Sequence, residues 1–255
     1  MKNKTVMITG ASSGFGEACA EAFAREGCNL IIVARRKERI NTLSAILRRE
    51  YGIDVFFGEL DVRNRGDVND FFNNLPEKWQ KIDILVNNAG LASGFDNFQD
   101  YNIDDWEAMV DTNIKGLLYV SRAVLPLMIK YNIKGHIINI GSIAGIYAYP
   151  KGAVYCGTKA AVHTISDGIR MDVVEHGIKV TNIQPGLAET EFSLVRFHGD
   201  EDKAKAVYNG LQALSAADVA ETVLFAASRP AHVQIAEITL TPLCQASAMV
   251  VRRNS

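Results

Sequence analysis

Thr5-Val6-Met7-Ile8-Thr9-Gly10-Ala11-Ser12-Ser13-Gly14-Phe15-Gly16 carries the architecture of this chain. The run Thr5–Thr9 is almost continuously apolar rather than alternating, which is how a strand buried on both faces reads. Three glycines follow at positions 10, 14 and 16, and a helical pattern starts there. Glycine permits a tight turn and close backbone approach to a ligand. The helix N-terminus behind the turn offers free N–H groups and a positive dipole end to a phosphate. Ser12 and Ser13 add hydroxyl donors. The spacing is Gly-x-x-x-Gly-x-Gly, so position is the stronger signal: the first strand–helix turn of a doubly wound sheet is where dinucleotides dock. The expected contacts are Gly10, Ser12, Ser13, Gly14, Phe15 and Gly16.

The same alternation continues along the chain. Strands are expected at Thr5–Thr9, Asn29–Ala34, Asp54–Gly58, Ile82–Asn87, His136–Gly141, Lys179–Gln184 and Ile235–Thr239. Helices are expected at about 14–26, 37–50, 65–74, 104–131, 152–176 and 215–228. Repeated strand–helix units predict α/β class: a single-domain, Rossmann-like, doubly wound parallel sheet of about seven strands with helices on both faces. The domain is expected to span 1–242. Residues 186–214 form an insertion at the carboxyl edge of the sheet, where ligands bind. Residues 243–255 are a tail, either free or docked on a partner subunit.

Composition narrows the function. The chain has 255 residues, 48% apolar and 22% charged, which excludes disordered, collagenous and coiled-coil classes. Net charge is -2 with no basic concentration, so no nucleic-acid footprint exists. Val6–Ile8 is far too short for a signal-peptide core, and no apolar run could span a membrane. Cys19, Cys28, Cys156 and Cys244 have neither zinc nor redox spacing and read as reduced thiols of a cytoplasmic protein. No metal is implied. Gly152-Ala-Val-Tyr-Cys-Gly157-Thr158-Lys159 imitates a triphosphate loop, but its last two residues are reversed and no strand precedes it.

The second strand ends in Val33-Ala34-Arg35-Arg36-Lys37. An acid here would bind the adenosine ribose and repel a 2′-phosphate. Ala34, Arg35 and Arg36 instead favour a phosphate monoester, hence NADP. Asp61 and Val62, after the third strand, can bracket the adenine.

Tyr155 and Lys159 lie one helical turn apart on a common face. A phenol titrates near ~10, so acting near neutrality needs a shift of about 2–3 units, or about 3–4 kcal/mol. An adjacent ammonium favours phenolate. Ser142, after the fifth strand, can donate to a substrate carbonyl oxygen. Asn113 interrupts a long helical pattern with a residue of poor helix propensity, as a relay to Lys159 through water would.

Together, Thr9-Gly-Ala-Ser-Ser-Gly-Phe-Gly16, Asn87-Asn88-Ala89-Gly90, Asn113, Ser142, Tyr155-x-x-x-Lys159 and Pro185-Gly186 resemble the short-chain dehydrogenase/reductase family, over about residues 4–242. The resemblance implies Tyr155 as general acid/base and Lys159 lowering its pKa and holding the nicotinamide ribose. It implies Ser142 orienting the carbonyl and Asn113 supporting proton relay. Asn88, Ala89, Gly90, Pro185, Gly186 and Thr190 are implied cofactor contacts. Asp61-Val-Arg-Asn-Arg65, Ile140-Gly-Ser142 and Glu191–Asp200 are similar to the branch acting with NADP on short 3-hydroxy acids such as serine, allo-threonine and 3-hydroxyisobutyrate.

A substrate carboxylate needs a partner, and Arg196 in the insertion is the candidate; the competing reading is a structural arginine packed on Phe197. Rival readings are reduction of other small aldehydes, ketones or diketones, and a cofactor-sensing binding protein, which would be expected to lack Tyr155 or Lys159. Gly168 in the Tyr155 helix costs about 1 kcal/mol relative to Ala. A small residue there admits another helix, and the resemblance implies a homotetramer.

Overall fold

The computed structural model describes residues 1–254. Seven strands form one wholly parallel sheet in the order β3-β2-β1-β4-β5-β6-β7. They are β1 (Thr5–Thr9), β2 (Asn29–Ala34), β3 (Val55–Glu59), β4 (Ile84–Asn87), β5 (His136–Ile140), β6 (Lys179–Pro185) and β7 (Glu237–Leu240). The direction of winding reverses between β1 and β4, and a crevice opens at the carboxyl ends there.

One face of the sheet is covered by α1 (Gly14–Arg25), α2 (Lys37–Tyr51) and α9 (Ala216–Ala227), with Phe23, Ile40, Leu47 and Val223 in that core. The other is covered by α3 (Arg65–Asn73), α5 (Leu117–Lys130) and α6 (Ala153–Val173), with Val68, Val120, Val124 and Val173 inside. All five residues of β1 are buried, as are all five of β5. Each large aliphatic side chain so buried contributes about 1.5–3 kcal/mol, so the sheet is a rigid floor for its carboxyl-end loops.

Two strands begin later than their apolar runs do. Asp83 accepts the Thr5 N–H with its carboxylate at 2.9 Å, so laddering with β1 starts at Val6 and Ile84. The Thr181 hydroxyl donates to the Ile235 carbonyl and the Gln234 amide to Val180, so β7 starts at Glu237.

The expected helix over 104–131 is divided. α4 (Ile103–Val110) leads into a π-helical turn, Asp111–Gly116, before α5. Gly116 lies against Val62, with no room for a Cβ. The insertion folds as α7 (Phe192–Arg196) and α8 (Glu201–Ala206), its neck closed by pairing of Ala188 with Leu214.

Residues 243–254 fold back onto the rest of the chain. Arg252 N–H donates to Cys244, Asn254 N–H to Gly210, and Gln245 is buried with its Oε1 accepting the Leu187 N–H at 2.7 Å.

Candidate active site

A cleft runs along the carboxyl edge from Ser12, Ser13, Arg35 and Arg36 at one end to Tyr155 and Lys159 at the other. Each glycine of the first turn has its own reason. Gly10 has φ +65° and faces Ala89; Gly14 has φ +57° and lies under Thr190. Gly16 abuts the Gly10 carbonyl and the Asn88 amide, which a Cβ would strike. Ser13, the N-cap of α1, makes no side-chain cap bond, so the leading N–H groups of α1 remain open to the cleft. This is a cradle for a pyrophosphate.

Of the two neighbouring asparagines, Asn88 lines the cleft. Asn88 donates its amide to the carbonyls of Thr9 at 2.9 Å and Gly10 at 3.1 Å, which makes it a brace between two loops. Asn87 is buried, donating to Ser121 and Asn139. Ala89 and Gly90 line the cleft directly.

At the adenosine end, Arg36 Nε donates to Ser12 Oγ at 3.0 Å and Nη2 to Ser13 Oγ at 2.5 Å. Its Nη1 pairs with Glu191 at 2.7 Å, and Arg39 Nη1 pairs with the same carboxylate at 2.7 Å. These two guanidiniums hold the Glu191 carboxyl down at about 2. Arg35 lines the cleft beside Asp61 and Val62. Asp61 forms an ion pair with Arg63 at 2.6 Å. The sequence assigns no cofactor role to Arg39 or to Glu191, although Glu191 opens the Glu191–Asp200 stretch. Arg39 sits one turn beyond Arg35, a spacing that could have flagged it, whereas Glu191 arrives from 155 positions away.

At the other end, Asn113 sits in the π-turn with its carboxamide inward. It accepts the Leu91 N–H at 2.9 Å and donates to Leu91 O at 2.8 Å and Thr158 Oγ1 at 3.0 Å. The wide turn thus locks the Gly90–Leu91 loop to the helix bearing Tyr155. Lys159 is buried and donates to the Ile140 carbonyl at 2.8 Å. Burial lowers its ammonium from 10.5 to about 8. No bond joins Lys159 to Asn113; both atoms face the space beside Gly90.

Burial and Tyr149 push the Tyr155 phenol upward, while Arg196 and the hydroxyl of Ser142 pull it down, and burial wins. Lys159 Nζ is 5.9 Å from the Tyr155 ring centre, whereas the Arg196 guanidinium carbon is 5.1 Å away. Ser142 Oγ accepts the Ala144 N–H and lies 3.4 Å from Pro185 O. Gly186 packs on Gln245, and Thr190 Oγ1 accepts the Phe192 N–H.

Arg196 lies on α7 at the catalytic end. Its guanidinium stacks over Phe192 at 5.2 Å and donates to Tyr149 Oη at 3.0 Å, while its carbonyl accepts the Gly94 N–H. Tyr149, Phe192 and Phe95 were missed because nothing in their spacing marks them. What the residues can do together is hold an extended dinucleotide, position an anionic small molecule under Arg196, and exchange a proton at Tyr155. Among the described residues no cluster of metal-ligating side chains occurs, and no helix is long and apolar enough to cross a membrane.

Comparison with known proteins places these features in context. The family model described as short chain dehydrogenase matches residues 4–200. The NADP-dependent 3-hydroxy acid dehydrogenase YdfG of Escherichia coli (strain K12) is 45% identical over 244 residues, covering 95% of this chain and 96% of that protein. Sulfoacetaldehyde reductase 2 of Chromohalobacter salexigens is 43% identical over 250 residues, covering 98% of each. Among solved structures, the closed form of serine dehydrogenase complexed with NADP+ superposes with a TM-score of 0.91 at 44% identity, covering 98% of this chain and 100% of that one.

Proposed function

The chain belongs to the short chain dehydrogenase family, and from that premise we propose that it is an NADP-dependent oxidoreductase interconverting a short 3-hydroxy acid and its semialdehyde or ketone. The observation that carries the substrate class is Arg196, a guanidinium 5.1 Å from the Tyr155 ring centre at the catalytic end of the cleft. The relatives named above act on a hydroxy acid, on serine and on sulfoacetaldehyde; the first two substrates carry a carboxylate and the third a sulfonate.

The cradle fits the cofactor: open N–H groups at α1, glycines with no space for side chains, and arginines without an acid at the end of β2. When bound, NADP supplies the hydride acceptor or donor. The protein supplies the rest. Arg196 holds the carboxylate by paired hydrogen bonds, which fixes the orientation of the hydroxyl-bearing carbon. Ser142 donates to the substrate oxygen. Tyr155 takes the proton from that oxygen in oxidation and returns it in reduction. The buried Lys159 ammonium, steadied by the Ile140 carbonyl, stabilises the phenolate, since charge interactions strengthen with burial. Asn113 and Thr158 keep that geometry fixed.

The compartment in this reading is cytoplasmic, because all four cysteines are free thiols. The assembly in this reading is a homotetramer paired through α6. Positions Gly157 and Gly168 have nothing within 4 Å beyond them, leaving room for a facing helix. A monomeric mass in solution would contradict that part alone.

The test of the activity is a panel of NADP-linked oxidations over serine, allo-threonine, 3-hydroxyisobutyrate, 2-hydroxyethanesulfonate and neutral alcohols of matched length. Anionic substrates should be turned over with the higher kcat/KM. Preference for the neutral alcohols would overturn the assignment.

A further inference from the structure

The 2′-phosphate of NADP would approach a place that is already engaged by the protein itself. Arg36 commits all three guanidinium nitrogens to groups of its own chain: Nε to Ser12, Nη2 to Ser13 and Nη1 to Glu191. Arg39 commits Nη1 to the other oxygen of the same carboxylate. Two guanidiniums converging on two oxygens of one anion is the arrangement that also suits a phosphate monoester. Glu191 and the two arginines are all partly exposed, and Glu191 and Arg36 line the cofactor cleft itself. A second carboxylate, Glu17, feels both arginines and Glu191, so the surroundings already hold ample negative charge. A phosphate added beside an unmoved Glu191 would meet like charge at close range, which is costly.

We propose that Glu191 is a built-in competitor for the 2′-phosphate, a carboxylate lodged on Arg36 and Arg39 that NADP must displace and that NAD leaves in place. This rests on the NADP reading of the cleft and adds to it a residue that sets cofactor affinity. The exchange is favourable because a dianionic phosphate outbids a monoanionic carboxylate for the same guanidiniums, while an exposed ion pair of this kind is weak. Glu191 also immediately precedes Phe192, whose ring packs on Tyr155 at 5.6 Å.

Titration calorimetry tests this on the wild type and on Glu191→Gln, which keeps size and removes charge. The probes are NADP+, NAD+, adenosine 2′,5′-bisphosphate and 5′-AMP. With the competitor neutralised, NADP+ and the bisphosphate should bind about tenfold tighter, the size of one charge-assisted contact. NAD+ and 5′-AMP should bind as in the wild type. Glu191→Asp, which keeps the charge on a shorter arm, should fall between. Unchanged or weaker binding of the bisphosphate by Glu191→Gln would overturn the proposal and make Glu191 a clip that stays closed over the cofactor. A wild type that binds the bisphosphate no better than 5′-AMP would instead overturn the NADP reading beneath it.

Discussion

At one end of the cleft Lys159 and Asn113 are 7% and 2% exposed, and packing fixes where their polar atoms point. At the other end the side chains of Arg36 and Arg39 are 43% and 51% exposed and share a carboxylate. The same cofactor would touch both. Buried groups in a dry site have strong mutual interactions and little freedom, which suits chemistry that needs one geometry. Exposed ion pairs contribute about 0–1 kcal/mol and can exchange partners, which suits a recognition step that must engage and release. The difference divides the work: the catalytic end is preorganised, and the adenosine end is exchangeable.

Substitutions should respect that division. The largest effect is expected at the buried end. Tyr155→Phe should lower turnover by about 10²–10⁴-fold, the range of a lost general acid/base. NADP affinity should be retained, because only the proton carrier is removed. A variant that keeps most of its turnover would break the comparison by placing the proton elsewhere. Lys159→Ala should damage turnover and cofactor affinity together, and a loss of turnover alone would confine Lys159 to the phenol.

A smaller and selective effect is expected where the insertion meets the catalytic end. Arg196→Ala should raise KM for 3-hydroxyisobutyrate by about ten- to a hundredfold, as for losing a charged hydrogen bond. A neutral alcohol should be little affected. Equal losses on both substrate types would assign Arg196 to the packing of Phe192, Phe95 and Tyr149.

How much of this was readable from the chain follows the same line. Tyr155, Lys159, Ser142 and the glycine turn are spaced by local structure, one helical turn or one strand end apart, so the sequence pattern exposes them. Asn113 was visible as an anomaly in a helix, but its π-turn and its grip on Leu91 depend on a loop 22 positions away. Glu191 meets Arg36 across 155 positions, and Gln245 meets Leu187 across 58. Such pairings are made by topology and leave no local trace. The strand starts at Ile84 and Glu237 were obscured for a related reason, since side-chain bonds replace the ladder there.

The smallest effect on activity, and the sharpest check on what is specific to the cleft, lies at the opposite end of β5. His136 is buried, its Nε2 donating to Thr181 Oγ1, whose own proton goes to the Ile235 carbonyl. Burial, then the charges of Lys179 and Lys4, lower this imidazole from 6.5 to about 3. The unfolded chain takes up a proton below pH 6.5 while the folded one stays neutral until about pH 3. Stability is therefore complete above pH 6.5 and falls as pH drops through that window, by at most ~1.4 kcal/mol per pH unit from this group. His136→Gln should flatten the fall of Tm on acidification and leave kcat/KM unchanged at neutral pH. An equally steep fall would remove His136 as its cause.

The central claim is that the exposed arginines select NADP for a hydroxy-acid oxidation carried out at the buried pair. Initial rates of 3-hydroxyisobutyrate oxidation by the wild-type enzyme, with NADP+ and with NAD+ in turn, test it most directly. The account predicts turnover with a kcat/KM for NADP+ at least about tenfold above that for NAD+, the worth of one charge-assisted phosphate contact. Equal use of the two cofactors, or a preference for NAD+, would contradict it.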